Sequence, residues 1–341
     1  MGRFARIALG LTVIGVVGAA GLGEWAYRWY HQPGPLATQK TLVLPRNIGT
    51  EDISRRLAEA GLLDKPTLFA ILARLTSSHG EMKAGEYEFP AAISPEGILA
   101  ELRSGKTVVH RLTVPEGLTN AEIIALVKAA PALEGGISTV PDEGQLLPST
   151  YFYSWGDKRQ ALLDGMHRQM QKLLAGLWAH RRHDLPLGTP EEALTLASLV
   201  EKETGVAAER ALVAGVFYNR LRLGMKLQSD PTVIYALTHG QARLDRPLSK
   251  ADLQVQSPYN TYVVKGLPPG PIANPGRAAL QAVLAPAATN ALYFVADGTG
   301  GHTFSENLGD HNRAVQQFRQ RGGAVAPHAE APKSPLPPSK H

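Results

Sequence analysis

Apolar and polar positions follow two periods along this chain, and together they predict a mixed α+β fold. Apolar residues spaced three and four apart predict helices, and Gly or Pro residues mark several of the helix ends. Alternating positions predict short strands, the last two of which form a hairpin. The predicted helices cover 51–61, 66–75, 95–104, a segment from about 120, 158–180, a segment from 190, 207–223, 248–253, 277–283 and 312–319. The predicted strands cover 41–44, 83–89, 112–114, 291–296 and 302–304.

In the helix that begins at Pro190, the stretch 196–205 contains two acidic residues that do not share a face. With about 100° per residue, Glu203 falls between Leu196 and Leu199 on the apolar side of the helical wheel. Glu201 lies about 200° around the wheel from Glu203. The Glu203 carboxyl therefore points where a side chain should be apolar. Desolvation at such a position raises the pKa of a carboxyl, which suits a general acid.

The same wheel assigns Thr195, Ser198 and Lys202 to a polar side, as expected for a half-exposed helix. This allows a second interpretation of Glu203, in which its side chain lies at the edge of the buried stripe and reaches solvent or pairs with an arginine. The helix pattern by itself favours this structural interpretation, because acidic residues are common in helices.

An uncharged apolar run, 7–23, follows two arginines at the N-terminus. With the aromatic cluster at 25–30, it reaches the ~20 residues that a membrane-spanning helix needs. The arginines predict a cytoplasmic N-terminus at 1–6 and an uncleaved single-pass anchor at 7–30. The alternative is a signal peptide cleaved near the small residues 18–20, although the aromatic cluster would make an unusual mature N-terminus. In both cases the chain beyond the anchor lies outside the cytoplasm.

Composition narrows the possible classes of protein. The chain of 341 residues has room for two or three domains. Its net charge of +5 comes from scattered lysines and arginines, so nucleic-acid binding is not predicted. It contains no cysteine, which excludes disulfides, thiolate metal sites and a cysteine nucleophile. The Pro- and Ala-rich segment 322–341 is predicted to be a disordered tail.

A weak internal repeat predicts a small membrane-proximal α/β module at 40–130. The segments VLPRNIGTEDI (43–53) and TVPEGLTNAEI (113–123) share the order strand, proline, polar loop and helix. Two such units packed as one domain could bind an extended polymer. They could equally be a spacer that holds the next domain away from the membrane, since a fold alone does not specify function.

Several well-known chemical signatures are missing from the sequence. There is no nucleophile elbow, phosphate loop, dinucleotide fingerprint or HExxH zinc motif. His302, Glu306, Asp310 and His311 are close in sequence, but their spacing matches no known metal site. The sequence therefore predicts neither a metal nor a cofactor.

What remains is one helical glutamate together with loops, 146–156 and 257–276, that are rich in Tyr, Asn, Thr and Pro. Such residues suit a sugar polymer, because aromatic faces pack on rings and amides bind hydroxyl groups. Ordinary glycosidases need two carboxylates. One is enough when the substrate supplies the nucleophile, as the C6 hydroxyl of N-acetylmuramic acid can for its own C1. Asp230 would be the second carboxylate if the protein were a hydrolase.

Long motifs in these regions carry a family resemblance. They are LASLVEKETG (196–205), VFYNRLRLGMKLQSDPTVIYAL (216–237), SPYNTYVVKGLPPGPIANPG (257–276) and LYFVADGTGGHTF (292–304), in this order behind LLPSTYF (146–152) and the anchor. Over about residues 40–320 the chain resembles the YceG-like (MltG) family of endolytic murein transglycosylases. The resemblance implies a bacterial single-pass inner-membrane protein that faces the periplasm. It also implies a LysM-like module at 40–130 and a catalytic domain at 146–320.

The resemblance implies a reaction and a set of site residues. Glu203 would be the catalytic residue, in agreement with the helical wheel. The residues implied to contact substrate are Gln228, Asp230, Tyr259, Asn260 and Thr261. Ser149 departs from the family pattern, which usually has an acidic residue there, so no catalytic role is assigned to it.

The implied substrate is the nascent glycan strand of peptidoglycan. Internal cleavage would leave 1,6-anhydro-N-acetylmuramic acid ends and stop strand elongation, and the implied partners are peptidoglycan synthases of the elongation or division machinery. Two alternatives remain. One is a muramidase-type hydrolase that uses Glu203 with Asp230, and the other is a non-catalytic peptidoglycan-binding scaffold.

Overall fold

A computed structural model describes residues 3–321 of the chain. Its helices are α1 (Arg3–His31), α2 (Thr50–Glu59), α3 (Pro66–Leu75), α4 (Pro95–Ser104), α5 (Asn120–Ala129), α6 (Arg159–Ala179), α7 (Pro190–Glu203), α8 (Arg210–Arg222), α9 (Asp230–Thr238), α10 (Arg277–Leu284) and α11 (Leu308–Gln320). Its strands are β1 (Lys40–Leu44), β2 (Gly85–Phe89), β3 (Val109–Thr113), β4 (Thr150–Ser154), β5 (Tyr293–Ala296) and β6 (His302–Ser305). The mixed α+β class predicted from the sequence is confirmed.

Within residues 3–321, the strands pair as three separate two-stranded sheets: β1 with β2, β3 with β4, and β5 with β6. The β1–β2 pair is antiparallel, and so is the hairpin β5–β6, whose register joins Tyr293 to Ser305 and Ala296 to His302. The predicted hairpin is confirmed. The two copies of the internal repeat do not share a sheet, because β1 and β3 each pair with another strand.

The chain divides into two compact units. The first contains residues up to 110 together with 132–134 and 152–157. The second contains 111–131, 135–151 and the chain from 158 onward. β3 is divided between the units and α5 belongs to the second, although the sequence assigns both elements to the membrane-proximal module. The LysM-like character of that module stays a prediction, and the predicted tail 322–341 lies outside the described residues.

In the first unit, α1 is long and apolar enough to cross a membrane. Its candidate span is Leu9–His31, with a mean hydropathy of 1.5. The end of this helix is part of the core of the unit, where Trp29 is only 3% exposed and donates its indole N–H to Asp64 at 2.7 Å. Gly34, which follows α1, packs closely against the backbone at Ile93, since a Cβ at Gly34 would lie 2.3 Å from the Ile93 carbonyl oxygen. The chain that follows α1 is therefore tightly packed at Gly34.

The core of the second unit is built around α7. This helix packs against α6, α8, α9 and α10, and the residues Ala193–Val200 are all buried. The polar side predicted for α7 is wrong at two positions. Thr195 and Ser198 are buried because their hydroxyls donate to the carbonyls of Glu191 and Thr195, and Ser198 also accepts the Ile272 N–H. Satisfied hydroxyls of this kind can enter a core at little cost.

Helix α9 is missing from the sequence prediction, and α11 begins earlier than predicted. Pro231 stands in the first turn of α9, where proline is tolerated, but the segment QSDP resembles a turn. The side chain of Asn307 accepts the N–H of Asp310 and so caps α11 at Leu308. The omission of α9 matters most, because this helix carries part of the candidate site.

Candidate active site

Glu203 is the last residue of α7, and the backbone turns to an extended conformation at Thr204. Its partly buried carboxylate accepts a hydrogen bond from the Ser229 hydroxyl. Burial raises the pKa of Glu203 to about 7. The Ser229 hydrogen bond and the charge of Arg220 lower this pKa, whereas the charge of Asp230 raises it. A raised pKa is the result that the helical wheel predicts.

Ser229 is held in place by the backbone and by two threonines. It is the N-cap of α9 and only 2% exposed. Its N–H donates to Thr261 Oγ1 at 3.0 Å, and its carbonyl accepts from Thr232 Oγ1 at 2.6 Å. The two threonine hydroxyls bond each other at 2.8 Å. These bonds fix the backbone of the residue whose hydroxyl donates to the Glu203 carboxylate.

Arg220 supplies a buried positive charge near Glu203. Its guanidinium is fixed by carbonyl groups, with Nε donating to Leu292 O at 2.6 Å and Nη1 to Leu227 O at 2.8 Å. The Tyr293 ring lies 5.1 Å from the guanidinium, within the range of a cation–π contact. A buried arginine satisfied mainly by neutral carbonyls keeps its charge largely available to a nearby carboxylate.

Asp230, in the first turn of α9, accepts a hydrogen bond from the Tyr262 hydroxyl at 2.6 Å. Burial and the charge of Asp230 raise the pKa of Tyr262. Tyr262 therefore remains a protonated phenol that donates to the carboxylate. Because the charge of Asp230 also raises the pKa of Glu203, the two acidic groups are electrostatically coupled.

The other residues predicted to contact substrate fall into two groups, of which the first has accessible side chains. Gln228 is exposed, and its backbone has a positive φ of 51°, which is uncommon for a residue other than glycine. Its N–H donates to the Thr261 carbonyl at 3.1 Å. Tyr259 is partly buried and its ring packs on Tyr235, with centroids 4.8 Å apart. Tyr259 is thus associated with the distal part of α9.

The second group has no accessible side chain. Asn260 and Thr261 are 0% exposed. The Asn260 amide donates to the carbonyls of Leu253 and Val255, and its oxygen accepts the Tyr262 N–H at 2.9 Å. Direct contact with a ligand does not fit this burial. The Asn260 side chain instead fixes the loop that carries Tyr262, and the Thr261 hydroxyl accepts the N–H of Ser229.

Glu201 is turned away to a different set of partners. Its carboxylate accepts the backbone N–H of Gly276, the N-cap of α10, at 2.9 Å. The guanidinium of Arg210 lies 3.6 Å from Glu201 and 3.7 Å from Glu116. Burial raises the pKa of Glu201. These contacts join α7, α8 and the start of α10, so the structure gives Glu201 a supporting role.

His302 and His311, which are close in sequence to two acidic residues, have separate partners. His302 bonds the Glu209 carboxylate at 2.7 Å, while His311 packs on the Tyr293 ring. Among residues 3–321 there is no group of three or more histidine or acidic side chains that could hold a metal ion. The Glu209–His302 pair fixes the β5–β6 hairpin to the segment before α8.

Sequence reasoning does not identify Ser229, Arg220 or Tyr262 as members of the site. Ser229 had a local signal, since it lies between two residues singled out as substrate-contacting. Arg220 lies in a helix whose sequence pattern does not distinguish it from other helical arginines. Its carbonyl partners are seen only in the folded structure. Tyr262 lies next to Thr261, but its bond to Asp230 spans 32 positions.

The YceG-like family matches residues 42–317 of the chain, which include every residue of this site. The chain belongs to the YceG-like family. An endolytic murein transglycosylase of Bacillus subtilis is 40% identical over 313 residues, covering 82% of this chain and 85% of that protein. An endolytic murein transglycosylase of Streptococcus pneumoniae D39 is 32% identical over 326 residues, covering 81% of this chain. This YceG-like chain spans 58% of the streptococcal protein.

A crystal structure of a YceG-like protein from Listeria monocytogenes is similar to this one. The TM-score is 0.50 and the sequence identity 30%, with 81% of this chain and 99% of the Listeria chain covered. The sequence resemblance to the YceG-like family is therefore confirmed.

Proposed function

We propose that this chain is a lytic transglycosylase that cuts peptidoglycan glycan strands internally and leaves 1,6-anhydro-N-acetylmuramic acid ends. The observation that carries the proposal is the Glu203 carboxyl, whose pKa burial raises to about 7 and whose position is fixed by Ser229. Such a group is present near neutral pH in both its acid and its carboxylate forms. A single residue can then give a proton and take one back within one turnover. The names of the relatives from B. subtilis and S. pneumoniae support the same activity.

The reaction proceeds by transfer of one proton in each direction. Glu203 donates its proton to the glycosidic oxygen, and the bond from that oxygen to C1 of N-acetylmuramic acid breaks. The C6 hydroxyl of the same sugar attacks C1 and returns its proton to Glu203. No water is consumed, and the enzyme ends in its starting protonation state. The intramolecular attack gains from a high effective concentration of the hydroxyl.

The neighbours of Glu203 have distinct roles in this reaction. Ser229 orients the carboxylate, and Arg220 stabilises the charge that appears on Glu203 after proton donation. Asp230, held by Tyr262, supplies a negative charge that favours the positively charged, oxocarbenium-like transition state. Gln228 is the accessible candidate for a direct substrate contact, while Asn260 and Thr261 act by positioning.

A water-dependent hydrolase is the second candidate, because the charge of Asp230 acts directly on Glu203. Mass analysis of products formed in ¹⁸O-labelled water separates the two reactions. The transglycosylase gives anhydro ends without ¹⁸O, whereas the hydrolase gives reducing ends that contain one ¹⁸O. An absence of any product from the full chain would favour a binding scaffold and overturn both.

We further propose that α1 anchors the protein in the bacterial inner membrane with its N-terminus in the cytoplasm and both units in the periplasm. The arginines before the span support this orientation. The LysM-like character of the membrane-proximal module and the partnership with peptidoglycan synthases of the elongation or division machinery are part of the same proposal. Protease digestion of right-side-out spheroplasts tests the orientation, because the protease reaches the two units only if they lie on the periplasmic side.

A further inference from the structure

A groove of about 520 Å³ opens in the second unit between α5 and α9. Asn120, Ile124 and Lys128 form its α5 wall, since they lie four residues apart on one helical face. Tyr235 on α9 and His239, the residue that caps the end of α9, form a second side, and Glu143 closes a third side. The lining does not include Glu203. The groove is therefore a concavity additional to the site described above.

A glycine, Gly240, packs closely against two residues that line the groove. Gly240 has a φ of +71°, and a Cβ there would lie 3.0 Å from the Tyr235 ring and 3.1 Å from Glu143 Oε2. Its carbonyl accepts the Thr119 hydroxyl at 2.8 Å, which ties the end of α9 to the start of α5. Both the backbone conformation and the close approach favour glycine at this position.

A buried amide fixes the polar side chains of the groove from behind. Asn274 is 0% exposed and donates to Asn120 Oδ1 at 2.9 Å and to Glu143 Oε1 at 3.2 Å. Glu143 Oε1 also accepts the Asn120 N–H at 2.8 Å. A carboxylate held by two such hydrogen bonds is an organised group, in the way that binding sites require.

The chemistry of the lining has both charge signs beside an aromatic ring. Glu143 is acidic, and burial raises its pKa. Lys128 and His239 are exposed at the rim and are basic. Ile124 and the Tyr235 ring add apolar surface. Such a lining matches a ligand that carries an ammonium group, carboxylates and short apolar side chains.

The groove is connected to the candidate active site through shared elements. α9 carries Asp230 at its start and Tyr235 five residues later, which is about 7.5 Å along a helix axis. The loop 257–262 contacts both residues, because Tyr262 bonds Asp230 and Tyr259 packs on Tyr235. A polymer bound at Glu203 would thus have the groove within reach of its substituents.

We propose that this groove binds the peptide substituent of the glycan strand, so that the protein distinguishes peptide-bearing strands from bare ones. The inference rests on the proposed function. Charge complementarity favours the peptide over the sugar chain, because the peptide carries free carboxylates and the ammonium group of its diamino acid. The N-acetylated sugars of a substituted strand carry neither group.

The test compares two substrates and matched variants of the full chain in detergent. The substrates are peptide-bearing strands and the same strands after amidase removal of the peptides. Lys128→Ala and Glu143→Gln are the test variants, and Lys172→Ala, an exposed lysine on α6, is the control. We expect each test variant to raise the KM for peptide-bearing strands about 10-fold, as the loss of one good contact does, with an unchanged kcat. Kinetics on bare strands and in the control should equal those of the wild type.

Each other outcome contradicts the proposal in a recognisable way. If the test variants raise the KM for both substrates equally, the groove binds the sugar chain and the peptide assignment is wrong. If the test variants behave as the wild type on both substrates, the groove is not a substrate site. If the wild type gives no anhydro ends from either substrate, the proposed function itself fails. Lys128→Ala removes only an exposed side chain, so the outcome does not depend on the more buried Glu143.

Discussion

The carboxylate of Glu201 accepts the backbone N–H of Gly276 at 2.9 Å, and this bond gives Glu201 a role different from that of Glu203 on the same helix. Glu201 fixes the start of α10, while Glu203, two residues later, meets Ser229 and the charges of Arg220 and Asp230. Both carboxyl groups have raised pKa values because of burial. Burial alone therefore does not identify the acid, and the partners do.

The first prediction compares glutamine at the two positions. We expect Glu203→Gln to reduce strand cleavage by about 10²–10⁴-fold, since the amide cannot give and retake a proton. Glu201→Gln should retain substantial activity, because the amide oxygen still accepts the Gly276 N–H. Anhydro ends released per unit time by each purified variant measure the effect, and retained glycan binding by Glu203→Gln shows that the fold is intact. A dispensable Glu203 together with an essential Glu201 would reverse the assignment.

The second prediction concerns the high-pH side of the rate profile. The acid form of Glu203 starts the reaction, so the rate falls as the pH rises through its pKa of about 7. Ser229 stabilises the carboxylate, so Ser229→Ala raises this pKa further and moves the fall to higher pH, with a lower kcat. An initial-rate series across pH measures the displacement, and an unmoved profile in Ser229→Ala would remove the hydroxyl from the mechanism.

The third prediction concerns Asp230, whose replacement should move the pH–rate profile in the direction opposite to that expected for Ser229→Ala. The charge of Asp230 raises the pKa of Glu203, so Asp230→Asn should lower it and move the fall in rate to lower pH. The same pH series measures this, with Asp245→Asn as an exposed control that changes the net charge equally. A shift of the same size in the control would mean that the effect reflects overall charge.

The fourth prediction concerns stability and follows from the same raised pKa. The folded state binds a proton at Glu203 more tightly than the unfolded chain, whose pKa is the ordinary 4.5. The folded state therefore loses stability as the pH rises from about 4.5 to about 7, by on the order of 3 kcal/mol. Glu203→Gln abolishes this loss. We expect the variant to unfold at higher denaturant than the wild type at pH 8 and at a similar concentration at pH 4.

The fifth prediction uses two glycines inside helices. A Cβ on Gly215 in α8 would lie 2.7 Å from the Ala287 carbonyl oxygen and 2.8 Å from a Thr289 methyl, whereas Gly176 in α6 has no atom within 4 Å. Gly215→Ala should destabilise the protein by about 1–3 kcal/mol through overpacking. Gly176→Ala should stabilise it by up to about 1 kcal/mol through helix propensity. Denaturant midpoints measure both, and equal effects would refute the close packing at Gly215.

The sequence allowed most of the helices, though not α9, and the hairpin to be predicted, because these depend on local periodicity and end signals. It also singled out Glu203, since a carboxyl on an apolar face is visible on a helical wheel. It failed where distant segments decide the outcome. Ser198 is a polar residue, but its hydroxyl is buried and accepts the N–H of Ile272. The two residues are 74 positions apart, so the sequence pattern does not reveal this bond. Asn260 and Thr261 have the chemistry of substrate ligands, but their partners are the backbone and hydroxyl groups of the fold itself.

The end of α1 is built into the first unit, and this has a mechanical consequence if α1 is the membrane anchor proposed above. Trp29 lies in the core of that unit, and the Lys65 ammonium contacts the rings of both Trp25 and Trp29. A helix whose last turn is packed in this way cannot swivel freely on a tether. Spanning helices adjust their tilt when the bilayer becomes thicker or thinner. Any such tilt of α1 will lean the first unit by the same angle. The thickness of the bilayer will then influence the direction in which that unit faces.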